Sequence, residues 1–420
     1  MPAEYTSALA AGLAEDLLAR FSRYVRIDTQ SAIDKTTTPS TSKQFDLARV
    51  LEAELRELGL EEVHVDEHAY VTAKLEANVD GAPTIGLISH IDTALDASGA
   101  GVEPIVHRNY DGGVIALPKD GTELDPASVP HLGKKRGHDI VTASGDTLLG
   151  ADDKAGVAEI MAALRVLVSE PERPRANIAV AFVPDEEIGH GASLLEIPGF
   201  GARCAYTIDG STVGELSFES FTAVEVRLRV EGVDVHPGSA SGVMVHAGRL
   251  LARVIAQLPY DRLTPATTSG REGFIHPLEF SATVAKAEAR VIVRDFDEDK
   301  LAGHVQLLEQ TAHSVVDAEP KAKLEIEVIR QYHNMREAIV QDQDVVAAAE
   351  EAYEAEGIAP VHEPIRGGTD GSQLSLRGLP TPNLFTGGHE YHSIREWASL
   401  QDMAAASAVI VHLAEVWSKR

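Results

Sequence analysis

Histidines and carboxylates occur together in several short segments of this chain. The first is SHIDT (residues 89–93), in which His90 and Asp92 project the same way if the backbone is extended there. Asp92 could then accept a hydrogen bond from one imidazole nitrogen and orient the other nitrogen toward a metal ion. Taken alone, such a pair is more often two incidental surface residues.

Carboxylates dominate the next three segments. GADDKAG (150–156) is a loop leading into a helix, where Asp152 could bridge two cations or could simply cap the helix. PDEEIG (184–189) follows an apolar run, so one of its carboxylates could bind a metal while a neighbour acts as general base. A solvated acidic turn is the alternative. Asp209 also follows an apolar run, and an Asp-Gly turn explains it equally well.

His392 completes the set, although a lone histidine is usually structural. Two histidines with three Asp or Glu positions suit metals that accept nitrogen and oxygen ligands, and a bridging carboxylate fits two ions about 3.5–4 Å apart. The single cysteine, Cys204, excludes a structural zinc finger. The sequence contains no Gly-x-Ser-x-Gly motif, so a serine hydrolase has little support.

The elements around these segments predict how they meet. Apolar runs at 84–90, 177–183 and 204–208 predict buried strands, and the spacing after residue 153 predicts a helix to about Val168. The alternation of strands and helices predicts an α/β fold with a mostly parallel central sheet. The polar segments fall at or after strand ends, where such sheets place their ligand sites.

A different pattern begins near residue 215. Residues 221–230 and 280–296 alternate between apolar and polar, as half-exposed antiparallel strands do, and helical stretches follow near 245–258 and 298–314. This order predicts an inserted α+β lid domain of the βαββαβ type. We expect the catalytic domain at 1–216 and 328–420 and the inserted domain at 217–327.

Composition limits the partners of the protein. The 420 residues include 37 Lys and Arg against 65 Asp and Glu, a formal net charge of −28, which disfavours nucleic acid and anionic membranes. The chain lacks the positive N-terminal segment of a signal peptide and any apolar run of about 18 residues. With one cysteine, it cannot depend on internal disulfides. We therefore expect a cytoplasmic protein.

Longer motifs in the sequence resemble those of a known family. The sequence resembles the M20 metallopeptidases, and within them the M20B branch of tripeptide aminopeptidases. The stretches that carry the resemblance are LLGADDKAGVAEI (148–160), PDEEIGHGA (184–192), VHPGSA (235–240), EGFIHP (272–277), IRGGTDGSQLS (365–375) and FTGGHEYH (385–392).

The resemblance implies a zinc-exopeptidase-like catalytic domain with two Zn²⁺ per subunit, which Co²⁺ or Mn²⁺ could replace. Asp152 would bridge the two ions, His90 and Asp209 would complete one site, and Glu187 and His392 the other. Glu186 would be the general base on the zinc-activated water, and Asp92 would orient His90. His236, from the lid domain, would stabilise the oxyanion.

The implied substrate is a tripeptide, cleaved at its N-terminal peptide bond. Arg294 and Arg366 are candidates for the substrate carboxylate and Asn334 for further hydrogen bonds, with a structural ion pair as the alternative for either arginine. Members of the family also suggest a homodimer through the lid domain. The sequence departs from the branch at His246, where relatives carry asparagine, and in the segment after His392.

Two alternatives stay open. One is another M20 hydrolase, either a dipeptidase or an amidohydrolase of N-acyl or N-carbamoyl amino acids. The other is a non-catalytic, metal-binding scaffold protein on the same fold, which would need a defective site.

Overall fold

The computed structural model describes residues 3–420. Within these residues the chain forms two compact units. Unit 1 runs to Phe218 and resumes at Met335–Glu363 and Thr369–Arg420, and unit 2 comprises Glu219–Asn334 and Pro364–Gly368.

The α-helices, in chain order, are α1 (Ala8–Tyr24), α2 (Gln44–Glu57), α3 (Pro130–Gly133), α4 (Ala151–Ser169), α5 (Ile197–Phe200), α6 (Ala247–Ala256), α7 (Glu298–Val316), α8 (Arg336–Ile339), α9 (Gln343–Ala355), α10 (Asp370–Leu376) and α11 (Leu400–Trp417). Short 3₁₀ helices cover Glu186–Ile188, Gly191–Leu194 and Pro237–Ser239.

The strands are β1 (Glu61–Val65), β2 (Val71–Leu75), β3 (Thr84–His90), β4 (Ile105–His107), β5 (Ile115–Ala116), β6 (Glu123–Leu124), β7 (Ile140–Thr142), β8 (Asn177–Val183), β9 (Cys204–Ile208), β10 (Leu216–Ser217), β11 (Thr222–Glu231), β12 (Phe274–Ala282), β13 (Lys286–Asp295), β14 (Lys323–Tyr332), β15 (Asn383–Leu384), β16 (Gly388–His389) and β17 (Trp397–Ser399).

Unit 1 is built on a seven-stranded sheet in the order β1-β2-β8-β3-β9-β15-β10. Strands β8, β3, β9 and β15 pair in parallel, and the strands at both edges pair antiparallel. Strands β3 and β8 are buried along almost their whole length, as expected of parallel strands covered on both faces. The predicted α/β class is confirmed, with parallel pairing confined to the centre of the sheet.

Smaller sheets complete unit 1. One has the order β16-β17-β7-β4, and another pairs β5 with β6. Helices α4 and α11 are nearly continuous runs of buried small and aliphatic residues. Among the described helices, none combines the length and the apolar character needed to cross a membrane.

Unit 2 is a four-stranded antiparallel sheet in the order β12-β13-β11-β14, with α6 and α7 packed against it. The element order β11-α6-β12-β13-α7-β14 is the predicted βαββαβ order. The segment 280–296 is not one strand but the end of β12, a turn and β13. The expected boundaries 216/217 and 327/328 both fall inside strands, β10 and β14, and unit 2 therefore continues to Asn334.

Candidate metal centre

The ends of three neighbouring strands bring the first candidate residues together. Strands β8, β3 and β9 run parallel, so their carboxyl ends meet at one edge of the sheet. His90 is the last residue of β3, Asp209 follows β9, and the segment Asp185–Glu187 follows β8. The sheet thus fixes the relative positions of side chains that are distant in sequence.

A first group of possible ligands forms around His90. Its Nε2 lies 2.9 Å from Oδ1 of Asp152 and 3.8 Å from Oδ1 of Asp209. The three side chains are largely buried, at 1%, 13% and 15% exposure respectively. Each offers one donor atom within 4.8 Å of the others, so the group can hold one cation.

A second group forms around His392 and shares Asp152 with the first. Nε2 of His392 lies 3.2 Å from Oδ2 of Asp152 and 3.0 Å from Oε2 of Glu187. These donor atoms again lie within 4.8 Å of one another. Because the two oxygens of Asp152 face different histidines, this carboxylate is placed to bridge two cations.

Donor spacing and donor chemistry fit divalent metals that accept nitrogen and oxygen ligands, zinc among them. Zinc bonds of about 2.1 Å in a tetrahedral arrangement place ligand atoms about 3.4 Å apart, within the spread of the distances above. Oε1 of Glu187 is buried and has no hydrogen-bond partner among the described residues, whereas Oε2 contacts His392. A buried carboxylate oxygen without a partner is unfavourable, and a cation bound there would remove that cost.

The electrostatics of the cluster indicate surplus negative charge. Burial and neighbouring carboxylates raise the pKa of Asp209 and Glu186 well above their ordinary values. Hydrogen bonds with Asp152 and Glu187 raise the pKa of His392 to about 11. A site for positive ions brings several carboxylates close together. Their mutual repulsion raises the pKa of a carboxylate, and their negative charge raises the pKa of a histidine.

Asp92 lies behind His90 and connects several parts of the centre. Its Oδ1 is 3.2 Å from Nδ1 of His90, so Nε2 is the nitrogen that faces Asp152. The same carboxylate accepts hydrogen bonds from Ser31 Oγ at 2.9 Å and from the backbone N–H groups of Glu186 and Glu187 at 3.0 and 3.3 Å. Asp92 is thus placed to orient both the histidine and the acidic turn.

Asp185 was not predicted from the sequence to have a role, yet it anchors the acidic turn. It is fully buried with φ of 58°. Its carboxylate accepts hydrogen bonds from Ser40 N at 2.6 Å, Ser40 Oγ at 2.5 Å and Gln44 Nε2 at 2.6 Å. The sequence does not distinguish the role of Asp185 from those of Glu186 and Glu187, because all three residues are acidic.

The other predicted site residues lie in unit 2. His236 is exposed, and its Nδ1 accepts the backbone N–H of Gly238 at 3.1 Å. This contact places the proton of a neutral imidazole on Nε2, which is left as a donor.

The two predicted arginines differ in their surroundings. Arg366 donates to the carbonyls of Gly270 and Glu272, both at 2.8 Å, and to Thr268, so most of its N–H groups hold a neighbouring segment. Arg294 lies over the rings of Phe274 and Tyr332, and its buried Nε has no hydrogen-bond partner among the described residues.

The amide of Asn334 has structural contacts. Its Oδ1 accepts the backbone N–H of Ser220 at 3.2 Å, and its Nδ2 donates to the carbonyl of Phe296 at 3.2 Å. This amide therefore joins the ends of strands within unit 2. The contact pattern favours a structural role for Asn334 and Arg366 and leaves Arg294 with unused hydrogen-bonding capacity.

Comparison with known proteins places the chain in a family. The family model described as "Peptidase family M20/M25/M40" matches residues 144–416. The chain is 45% identical to Peptidase T of Bacillus pumilus over 97% of this chain and 99% of that protein, and 46% identical to Peptidase T of Aliivibrio fischeri over 96% and 98%. The protein belongs to peptidase family M20/M25/M40.

A solved structure supports the same assignment. The crystal structure of aminopeptidase PepT from Bacillus cereus is 25% identical and superimposes with a TM-score of 0.74, covering 96% of this chain and 98% of that one. The resemblance to the M20 metallopeptidases that the sequence motifs suggest is therefore confirmed.

Proposed function

We propose that this protein is a metal-dependent aminopeptidase that removes the N-terminal residue of tripeptides. The observation that carries the proposal is the sharing of Asp152 between two groups of metal-binding side chains. The relatives named Peptidase T, similar over nearly the whole chain, support the peptidase activity. The motif resemblance to the tripeptide aminopeptidase branch supports the choice of substrate.

Five side chains would hold two zinc ions. His90, Asp152 and Asp209 would bind one ion, and Asp152, Glu187 and His392 the other. Zinc, when bound, polarises a peptide carbonyl and lowers the pKa of water toward neutrality. Cobalt or manganese accept the same nitrogen and oxygen donors and could take its place.

Glu186 would carry the proton during hydrolysis. It lies three residues after the end of β8, next to Glu187, and its backbone N–H donates to Asp92. Its carboxylate would accept a proton from the attacking water and return it to the leaving amine. Nε2 of His236 would donate a hydrogen bond to the oxyanion.

Arg294 is the better candidate of the two arginines for the substrate carboxylate. Its Nε is unused within the described residues, and the rings of Phe274 and Tyr332 restrict its movement. A guanidinium can bind a carboxylate through two parallel hydrogen bonds. Arg366 and Asn334 would act indirectly, by holding the segments beside it.

Substrate comparison tests this function against its alternatives. Turnover of a tripeptide is measured beside its N-acetylated form, its C-amidated form and the corresponding dipeptide. The tripeptide is expected to be the best substrate, and the acetylated form is expected to be inert. Faster cleavage of the acetylated compound would favour an amidohydrolase, and faster cleavage of the dipeptide would favour a dipeptidase.

The variant Glu186→Gln separates catalysis from metal binding. We expect it to keep its zinc while kcat falls by about 10²–10⁴-fold, the usual contribution of a general base. A wild-type chain that binds two zinc ions but cleaves none of the peptides would indicate the scaffold alternative.

Location and assembly complete the proposal. A cytoplasmic location agrees with the composition, which includes one cysteine in 420 residues. A homodimer through unit 2 is supported by partly exposed apolar residues on its edge strands, Leu278 and Phe280 on β12 and Val328 on β14. Light scattering on the purified protein tests the dimer, and a monomeric mass would exclude it.

A further inference from the structure

Glu396 has an environment that the catalytic roles above do not explain. Glu396 lies inside unit 1 and is only 1% exposed. Its Oε2 accepts the backbone N–H groups of Leu149 and Gly150, each at 2.7 Å, and its Oε1 accepts the backbone N–H of Asp152 at 3.0 Å. Three hydrogen bonds from one short segment therefore converge on a single carboxylate.

That segment needs an external support. Asp152 (φ −85°, ψ 101°) and Asp153 (φ −122°, ψ 32°) are not helical, although they lie in the first turn of α4. Gly150, just before them, has φ of 80°. Helical hydrogen bonds therefore do not fix the direction of the Asp152 side chain. A buried carboxylate that binds successive N–H groups can do so, because charge-assisted hydrogen bonds are short and strong.

Glu396 also lies on the segment that supplies His392. Strands β16 and β17 pair antiparallel, and residues 390–396 form the loop between them. The loop is held at its end by Trp397, which is fully buried and pairs with Thr142 of β7. One carboxylate thus connects the segment that carries His392 to the segment that carries Asp152.

We propose that Glu396 is a positioning residue that sets the distance between Asp152 and His392. The inference rests on the proposed function only in that both residues act as metal ligands there. Without the three hydrogen bonds, the loop at 149–152 can move relative to the β16–β17 hairpin. The donor atoms of both groups of ligands then move out of position, since Asp152 belongs to each group.

Metal affinity of Glu396→Gln tests the inference. Glutamine keeps the size of the side chain but replaces one acceptor oxygen with an NH₂ group, which must face a backbone N–H. We expect Zn²⁺ affinity, measured by competition with a chelator, to fall by about 10- to 100-fold. We also expect the visible absorption of bound Co²⁺ to change, since it reports the ligand geometry, while the far-UV circular dichroism stays that of the wild type.

A second buried glutamate provides the matched control. Glu159 is fully buried on α4, and neither oxygen of its carboxylate has a hydrogen-bond partner among the described residues. Glu159→Gln should keep wild-type Zn²⁺ affinity and Co²⁺ absorption. An equal loss of affinity in both variants would show a general effect of changing buried acids and would overturn the positioning role.

The remaining outcomes also decide the question. Wild-type affinity and absorption in Glu396→Gln would overturn the inference and leave the proposed function intact. A wild-type protein that binds zinc but cleaves no tripeptide would overturn the function and leave the inference intact. A wild-type protein that binds neither Zn²⁺ nor Co²⁺ would contradict both. If Glu396→Gln does not fold, Glu396→Asp, which keeps the charge but shortens the reach, must show reduced affinity.

Discussion

Oδ2 of Asp152 lies 3.2 Å from Nε2 of His392, across 240 positions of sequence. The other oxygen of the same carboxylate lies 2.9 Å from Nε2 of His90. A carboxylate placed between two histidines has a consequence for metal stoichiometry, because the two groups of ligands are then not independent.

Asparagine at each of two ligand positions tests this dependence. Asp152→Asn should weaken both sites, whereas Asp209→Asn should weaken only the site that contains His90, each by at least about 10- to 100-fold. The measurement is zinc content after dialysis at one fixed free zinc concentration. Asp209→Asn is expected to retain about one ion per chain and Asp152→Asn close to none. Equal stoichiometry in the two variants would contradict a bridging Asp152.

Gly156 tests the packing that holds α4 against β9. A Cβ at this position would lie 1.9 Å from the carbonyl oxygen of Ile208, the residue just before Asp209. Gly156→Ala must push the helix from the strand, so we expect a loss of stability of about 1–3 kcal/mol and weaker zinc binding. Denaturant unfolding and chelator competition measure the two effects.

Gly12 is the control for this substitution. It also lies in a helix, α1, but a Cβ there would meet nothing within 4 Å. Gly12→Ala should therefore increase stability by about 0.5–1 kcal/mol through the lower backbone entropy of the unfolded chain. A Gly156→Ala protein as stable as the Gly12→Ala protein would show that α4 and β9 are less closely packed than the structure indicates.

Glu159 predicts a gain in stability. Its buried carboxyl group has no hydrogen-bond partner among the described residues, so Glu159→Leu should stabilise the protein by about 1–3 kcal/mol. Burial raises the pKa of Glu159 well above its ordinary value. A group whose pKa rises on folding favours the folded state at low pH, and this contribution disappears as the pH rises.

The gain from Glu159→Leu should therefore be larger at pH 8 than at pH 5. Unfolding by urea at both pH values, with chelator present, measures the difference between variant and wild type. Glu159→Gln separates the two effects, since it removes the titration but keeps a polar group. A gain that is the same at both pH values would mean that Glu159 is not a titrating, buried acid.

His412 gives a second pH-dependent prediction, in which a substitution destabilises the protein by removing a favourable interaction. Burial lowers its pKa, but hydrogen bonds with Glu356 and Glu415 outweigh burial and raise the pKa to about 9. Nε2 lies 3.2 Å from Glu356 and Nδ1 lies 3.0 Å from Glu415. A histidine whose pKa is raised by folding stabilises fully below its unfolded pKa of about 6.5 and loses this contribution as the pH rises through 9.

His412→Leu should remove about 1–2 kcal/mol at pH 6 and much less at pH 10, since solvent screening of the partly exposed ring weakens the interaction. Urea unfolding of wild type and variant at these two pH values, again with chelator, gives the comparison. Equal destabilisation at both pH values would show that the histidine contributes through packing and not through its charge.

The fold could be predicted where burial leaves a simple pattern. Strands β3, β8 and β9 have the bounds that their apolar runs predict, because parallel strands covered on both faces need uninterrupted hydrophobic sequence. The hairpin β12–β13 was less clear, since alternation continues on both sides of its turn at 283–285. The return of Pro364–Gly368 to unit 2 has no local signal at all.

The residues of the candidate site also differ in whether the sequence could predict them. His90, Asp152 and His392 could be named from the sequence because metal binding restricts residue type and because their motifs resemble a family. Asp185 and Glu396 could not. Asp185 accepts hydrogen bonds from Ser40 and Gln44, which are distant in sequence, and Glu396 binds backbone N–H groups that any residue provides. The guanidinium of Arg366 made it a candidate for substrate binding. The carbonyls that occupy its donors belong to a segment that is distant in sequence, although it is close in space.

The order of the ligands along the chain affects when the centre can form during synthesis. His90, Asp152 and Asp209 all precede unit 2, so the first group of donors is complete before the inserted segment is translated. His392 emerges long afterwards, together with the hairpin β16–β17 and the helix α11. A nascent chain therefore carries the donors of the first group early, but Asp152 gains the support of Glu396, and the second group gains His392, only after unit 2 has been translated.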